Sequence, residues 1–192
     1  MIDHLLGGRL HVVGISGSRS PNSKSRVALT AAIDFAAGAN CDVSTDLISL
    51  DETWLEFCDG RDTSQYGDAT REVIDRVVSA DALIVASPIY RGSYPGVLKN
   101  LFDLIPSDAL DGKVVGLIAT GGTPHHFLAI EQELGPLMGY FRAIVVPRAV
   151  FAHDANFVGG LIADETTTKR LSRLAETVVE TARRLALAPQ GI

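Results

Sequence analysis

Cysteine, tryptophan and positive charge are scarce in this chain. Its 192 residues include two cysteines and one tryptophan, and 23 acidic residues outnumber 17 basic ones. Cys41 and Cys58 stand apart with no CxxC spacing, so neither a disulfide framework nor a cysteine-based zinc site is suggested; both read as reduced thiols. The net charge is −6 with lysine and arginine dispersed, so there is no basic stripe of the kind nucleic acid requires. No apolar run approaches the roughly 18 residues of a membrane helix. The opening MIDHLLGGRLHVV lacks the basic, apolar and small-residue sections of a secretion signal. A cytoplasmic protein without membrane attachment is expected.

Internal repeats, low-complexity tracts and long Pro/Gly linkers are missing too. A single domain over 1–192 is therefore expected, with 1–9 as an N-terminal extension. What fills it is an alternation. LHVVGIS (10–16), DVSTDLIS (42–49), ALIVAS (82–87), KVVGLIA (113–119) and AIVVPRAVF (143–151) read as strands, and three of them are apolar on both faces. Such runs suit a parallel sheet covered on both sides. Helical patterns lie near 25–38, 67–80, 95–105, 125–140 and 165–187. Alternating β and α predicts a three-layer α/β sandwich, and five strands predict the flavodoxin-like parallel order 2-1-3-4-5. In that order ligands bind beyond the carboxyl ends of the strands, at the switch between strands 1 and 3.

The loops at those ends are unusual together. After strand 1 comes SGSRSPNSKSR (16–26), with five serines and three basic residues. Taken alone it suits a solvated turn or a cradle for an anion at a helix N-terminus. It is neither GxxxxGK[ST] nor GxGxxG, so a lone phosphate group fits better than a nucleotide triphosphate or a dinucleotide fold. After strand 3 comes SPIYRGSYPGVLKNLFDLIP (87–106), where Ile89, Tyr90 and Tyr94 are expected to be exposed beside a planar partner, or the tyrosines to cap the sheet edge. After strand 4 comes ATGGTPHHF (119–127), whose glycines allow backbone to pass a flat ligand edge through unusual φ values. Adjacent His125 and His126 cannot face one ion from a helix, so a helical first turn is their expected place and no metal is expected. GxSxG is absent, no catalytic acid–base set stands out, and Glu131 and Glu133 read as a solvated or subunit-contacting helix face.

At these loops, SPIYRGSYPGVLKNLFDLIP followed by LDGKVVGLIATGGTPHHFLAIEQELGPLM, the chain resembles the NAD(P)H-dependent FMN reductase family. It looks most like the branch that supplies reduced FMN to two-component sulfonate monooxygenases, over residues 10 to about 157. The resemblance implies FMN with NADPH or NADH as cofactors and hydride transfer to flavin N5. It assigns the FMN phosphate to Ser18, Ser20, Ser23 and Ser25. The flavin ring would lie along Pro88, Ile89, Tyr90, Arg91 and Gly92, with Thr120, Gly121 and Gly122 under its polar edge. Many members carry arginine where this chain has Ser20, so Arg19, one position earlier, could turn to the phosphate or to solvent. The family also implies a homodimer or homotetramer and a monooxygenase partner. Two rivals stand beside this reading: a reductase that keeps FMN bound and reduces quinones, azo dyes or nitro compounds, and a flavin-binding electron carrier without turnover.

Overall fold

A computed structural model describes residues 9–39 and 42–187. The expected N-terminal extension, apart from Arg9, and Cys41 lie outside the described residues. The expected alternation is present as β1 (Leu10–Ser16), α1 (Lys24–Gly38), β2 (Val43–Ser49), α2 (Asp68–Ser79), β3 (Ala82–Pro88), α3 (Gly96–Leu104) and β4 (Val114–Gly121). After these come α4 (Gly135–Tyr140), β5 (Ile144–Val145), β6 (Val150–His153), the hairpin β7 (Phe157–Val158) with β8 (Leu161–Ile162), and α5 (Glu165–Leu187). The main sheet runs β2-β1-β3-β4-β5, all parallel, with β6 also pairing β4.

Every residue of β3 and β4 is buried, because both faces are covered. Val12, Ile84 and Ile118 point to a core shared with α1 and α5. Val13, Val85 and Leu117 point to a core shared with α2, α3 and α4. This is the flavodoxin-like three-layer arrangement, and it collects the carboxyl ends of β1, β3, β4 and β6 on one edge of the molecule.

The expected fifth strand is two. Val146 N still donates to Val115 O at 3.0 Å, but Pro147 has no N–H for the ladder and Arg148 takes φ 77°, so 147–149 leave the sheet between β5 and β6. The chain rejoins β4 at Ile118↔Val150 and continues to Gly121↔His153, beyond the expected end at 151. The expected helix over 125–140 is also divided. It begins as a 3-10 turn (Pro124–Leu128), widens to a π turn (Ile130–Leu134) and becomes α4 only at Gly135. Gly135 donates to Ile130 O, one residue further back than in an α-helix. Pro136, with no N–H, cannot continue the i→i−4 series, and this helps to open the wider turn.

Candidate functional site

Position 23 shows how the serine-rich loop is built. Ser23 caps α1, its Oγ accepting from Arg26 N at 3.0 Å, as an N-cap hydroxyl does. Ser18 Oγ accepts from Ser20 N at 3.1 Å. Both hydroxyls are buried, both have taken one N–H, and each keeps its own proton to donate elsewhere. Ser25, also buried, shares a hydrogen bond of 2.9 Å with Thr120 Oγ1. Beneath them Ser16 Oγ is fully buried without a hydrogen-bond partner. The first-turn N–H groups of α1 lie in the same place, since a helix gives them no acceptor. The loop between Ser16 and Ser25 holds no carboxylate, and Gly17 is required there: a Cβ would stand 2.8 Å from Leu98 Cδ2 of α3. Spare hydroxyl protons, free amides and a positive helix end make a donor set that fits a phosphate dianion.

Thr120 links this loop to the next. Its hydroxyl holds Ser25, and its carbonyl accepts from Ile89 N at 2.8 Å. Ile89 is a correction. Expected to be exposed, it is only 4% exposed and belongs to the α2–α4 core, because strand alternation past Pro88 sends it to the side of Leu83 and Val85. Tyr94 is half-buried against the same core, and burial pushes its phenol above the usual range, so it stays protonated. Tyr90 alone of the three stands out, 53% exposed. It is presented by a two-residue turn in which Tyr90 and Ser93 exchange backbone hydrogen bonds of 2.8 and 3.2 Å. Arg91 (φ 55°) and Gly92 (φ 89°) are both left-handed, as a type I′ turn demands, and a non-glycine residue there is uncommon. Ser93 Oγ donates to Glu133 Oε2 at 2.8 Å, so Glu133 steadies this turn, while Glu131 faces solvent.

Gly121 and Gly122 do not use the positive φ expected of them, for neither has one. Gly121 is needed for space: a Cβ would come within 3.0 Å of His126 Nδ1 and 3.3 Å of Phe151 Cζ. His126 sits in the 3-10 turn, its Nδ1 buried without a partner.

Two neighbouring segments escaped the sequence reading. Because β6 runs on, His153 Nε2 meets Gly122 O at 2.9 Å and Asp154 pairs with Lys24 at 2.9 Å, closing the mouth on the α1 side. The signal was the rule already applied to strands 1, 3 and 4, had β6 been given its true end. The second segment follows β2. Arg26 pairs there with Asp51 at 3.0 Å and Glu52 at 2.7 Å. Arg19 turns neither to the serines nor freely to solvent: its Nη1 donates to Leu50 O at 2.9 Å and Thr53 O at 3.4 Å, over the Trp54 ring.

Among the described residues no cluster of His, Cys, Asp and Glu could hold a metal ion, and no helix is long and apolar enough to cross a membrane. Residues 10–157 match the family model for NADPH-dependent FMN reductase. An NAD(P)H-dependent FAD/FMN reductase of Geobacillus thermodenitrificans is 43% identical over 139 residues, covering 72% of this chain and 75% of the relative. An FMN reductase (NADPH) of Pseudomonas aeruginosa is 39% identical over 165 residues, 86% of this chain and 88% of the relative. Among solved structures, the apo form of an NADH:FMN oxidoreductase (EMOB) superposes with a TM-score of 0.75 at 27% identity, covering 94% of this chain and 91% of that one. The serine loop on α1 and the two loops it is tied to thus lie where a match spanning three quarters of the sequence runs unbroken, and the chain belongs to the NADPH-dependent FMN reductase family, oxidoreductases that work with FMN and a nicotinamide nucleotide.

Proposed function

We propose that the FMN phosphate is held by Ser18, Ser20, Ser23 and Ser25 at the N-terminus of α1, and that the reduced flavin is handed to a partner monooxygenase. The observation that carries the first part is the pair of buried hydroxyls of Ser18 and Ser23, each accepting one N–H and keeping its own proton to donate, beside the buried Ser25 that is tied to Thr120 and the half-buried Ser20, with no carboxylate in the loop. The ring would be held along Pro88, Tyr90, Arg91 and Gly92, with Ile89 offering backbone only, and Thr120, Gly121 and Gly122 would line its polar edge. When bound, FMN supplies the redox chemistry, accepting at N5 the hydride that nicotinamide gives from C4. The chain's share is orientation: the type I′ turn holds Tyr90, and the Thr120 bridge keeps the phosphate and ring loops in one register. No acid–base side chain is assigned a role. A cytoplasmic location, where reduced nicotinamide nucleotides are available, is part of the same proposal.

The test mixes the protein with FMN and NADPH or NADH and follows absorbance at 340 nm. Oxidation that depends on flavin is expected, and a coupled monooxygenase should turn over only when this protein is present. No flavin-dependent oxidation of either nucleotide overturns the reading.

We also infer a homodimer or homotetramer through α3 and α4. Along the stretch 127–141, Ile130, Leu134, Met138 and Phe141 are buried within the chain, while Phe127 and Leu128 remain exposed. Tyr140, 67% exposed, joins Phe102, Ile105 and Leu137 around a groove of about 450 Å³ between the two helices. Exposed apolar surface of this kind favours a like partner. Light scattering at micromolar concentration is expected to return at least the dimer mass, and a monomer contradicts the proposal.

A further inference from the structure

The segment after β2 is firmly built, yet it leaves its largest side chains in water. Asn100 of α3, itself buried, donates to Glu56 O and accepts from Cys58 N, both at 2.9 Å. Glu56 N donates to Thr70 Oγ1 at 3.1 Å, and Glu56 Oε1 accepts from Gly67 N at 2.6 Å. Leu55 and Tyr66 are sunk in the core, and Arg61 lies 4.3 Å from the Tyr66 ring centre. Between these anchors Trp54 is 69% exposed and Phe57 74%.

Trp54 is distinguished from an ordinary exposed aromatic by what touches it. Arg19, next to Ser18 in the serine loop, holds its guanidinium carbon 5.5 Å from the indole centre and is fixed there by Leu50 O and Thr53 O. A cation over an aromatic face is attractive. Here it braces one side of the ring and leaves most of the indole open. The bonds to Leu50 and Thr53 use only Nη1, so Nη2 and Nε remain for an anion. Arg26 nearby is matched by Asp51 and Glu52. Arg19 has no ion-pair partner among the described residues.

We propose that Trp54 and Arg19 seat the adenosine end of the nicotinamide dinucleotide, adenine stacking on the indole and Arg19 meeting its phosphate oxygens. The inference rests on the FMN reductase reading. Hydride transfer places the nicotinamide on the flavin ring, over the loops after β3 and β4. In the order β2-β1-β3-β4 the loop after β2 stands two to three strand spacings away, roughly 10 to 14 Å. FMN laid from those loops to the N-terminus of α1 ends at its phosphate, whereas the ADP arm of the dinucleotide continues over a distance of that order. A planar base needs a planar, oriented surface, and a braced indole provides one at little cost in order.

Trp54 is the chain's one tryptophan, so its emission reports this site directly. Adding ADP-ribose to the FMN-loaded protein is expected to quench that emission saturably. An Arg19→Gln variant should bind ADP-ribose about threefold more weakly, with a red-shifted tryptophan maximum, because Arg19 also acts through the ring as a positioning residue. Trp54→Ala should raise KM for NADPH or NADH about tenfold, equivalent to 1.4 kcal/mol, with kcat and KM for FMN unchanged. Trp54→Phe should restore most of the loss. Reduced nicotinamide mononucleotide, which lacks the adenosine end, should show the same KM with wild type and Trp54→Ala. The proposal is overturned if ADP-ribose leaves the emission unaltered, if the mononucleotide suffers equally, or if Trp54→Ala changes the mass in light scattering, which would place the indole at a subunit contact. Wild type that oxidises neither nucleotide with FMN would fail the enzyme reading itself, an outcome the same assays separate from indifference of Trp54→Ala.

Discussion

The double variant Ser23→Ala/Ser25→Ala is expected to bind FMN about 10²- to 10⁴-fold more weakly while its affinity for riboflavin changes little. A hydrogen bond to a charged group contributes about 1.5 to 3 kcal/mol, so two contribute about 3 to 6, and each 1.4 kcal/mol is a factor of ten in affinity. Both substitutions also disturb the protein. Loss of the Ser23 cap costs α1 about 0.5 to 2 kcal/mol, and loss of the Ser25 hydroxyl leaves Thr120 Oγ1 without the partner it holds at 2.9 Å. Those costs fall on both flavins alike, because riboflavin differs from FMN only by the phosphate. Fluorescence titration with the two flavins, alongside thermal unfolding of the free protein, therefore isolates the phosphate contribution. Equal losses for both would contradict the cradle and make the serines purely structural.

The second large effect concerns whether flavin stays. Arg19, the guanidinium next to the proposed cradle, is turned away to Leu50 and Thr53, and Arg26 is matched by Asp51 and Glu52, so in the proposed site hydroxyls and amides would hold the phosphate without an arginine fork. On the ring side Tyr90, Arg91 and Gly92 are exposed, and the support is one turn. Such a site suits micromolar binding, about −8 kcal/mol. The protein is therefore expected to purify largely colourless and to lose bound FMN on dialysis. Its oxidation of NAD(P)H should rise from near zero to a plateau as FMN is added, as a supplier of reduced flavin requires. Stoichiometric flavin retained through extensive dialysis, with oxidation indifferent to further FMN when a quinone or dye is present, would instead identify a reductase with a fixed prosthetic group.

What the sequence determined by itself was the layered frame and the edge on which the site lies. Buried parallel strands must be apolar on both faces, so β1, β3 and β4 show as continuous runs whatever packs on them. The ends of those strands then mark loops 17–23, 89–95 and 122–123 as one neighbourhood, and the serines, the Tyr90–Ser93 turn and Thr120 are found there. Local composition could not show where a side chain goes when the deciding partner is remote. Ile89 and Tyr90 are neighbours in one loop, yet pleat alternation against α2–α4 buries the first and exposes the second. Arg19 is held by carbonyls 31 and 34 residues away, and His153 meets a carbonyl 31 residues earlier. Pro147 and the Gly135–Pro136 pair are breakers by residue type, yet the sequence reading ran one strand and one helix through them, because whether a breaker ends an element, splits it or widens a turn depends on the ladder beside it. For β5, β6 and the π turn, that was decided by β4 and by the core beneath α4. The tertiary structure alone joined Thr120 to Ser25 across 95 residues and stood Trp54 beside the cradle, because both contacts depend on strand order and on nothing within reach along the chain.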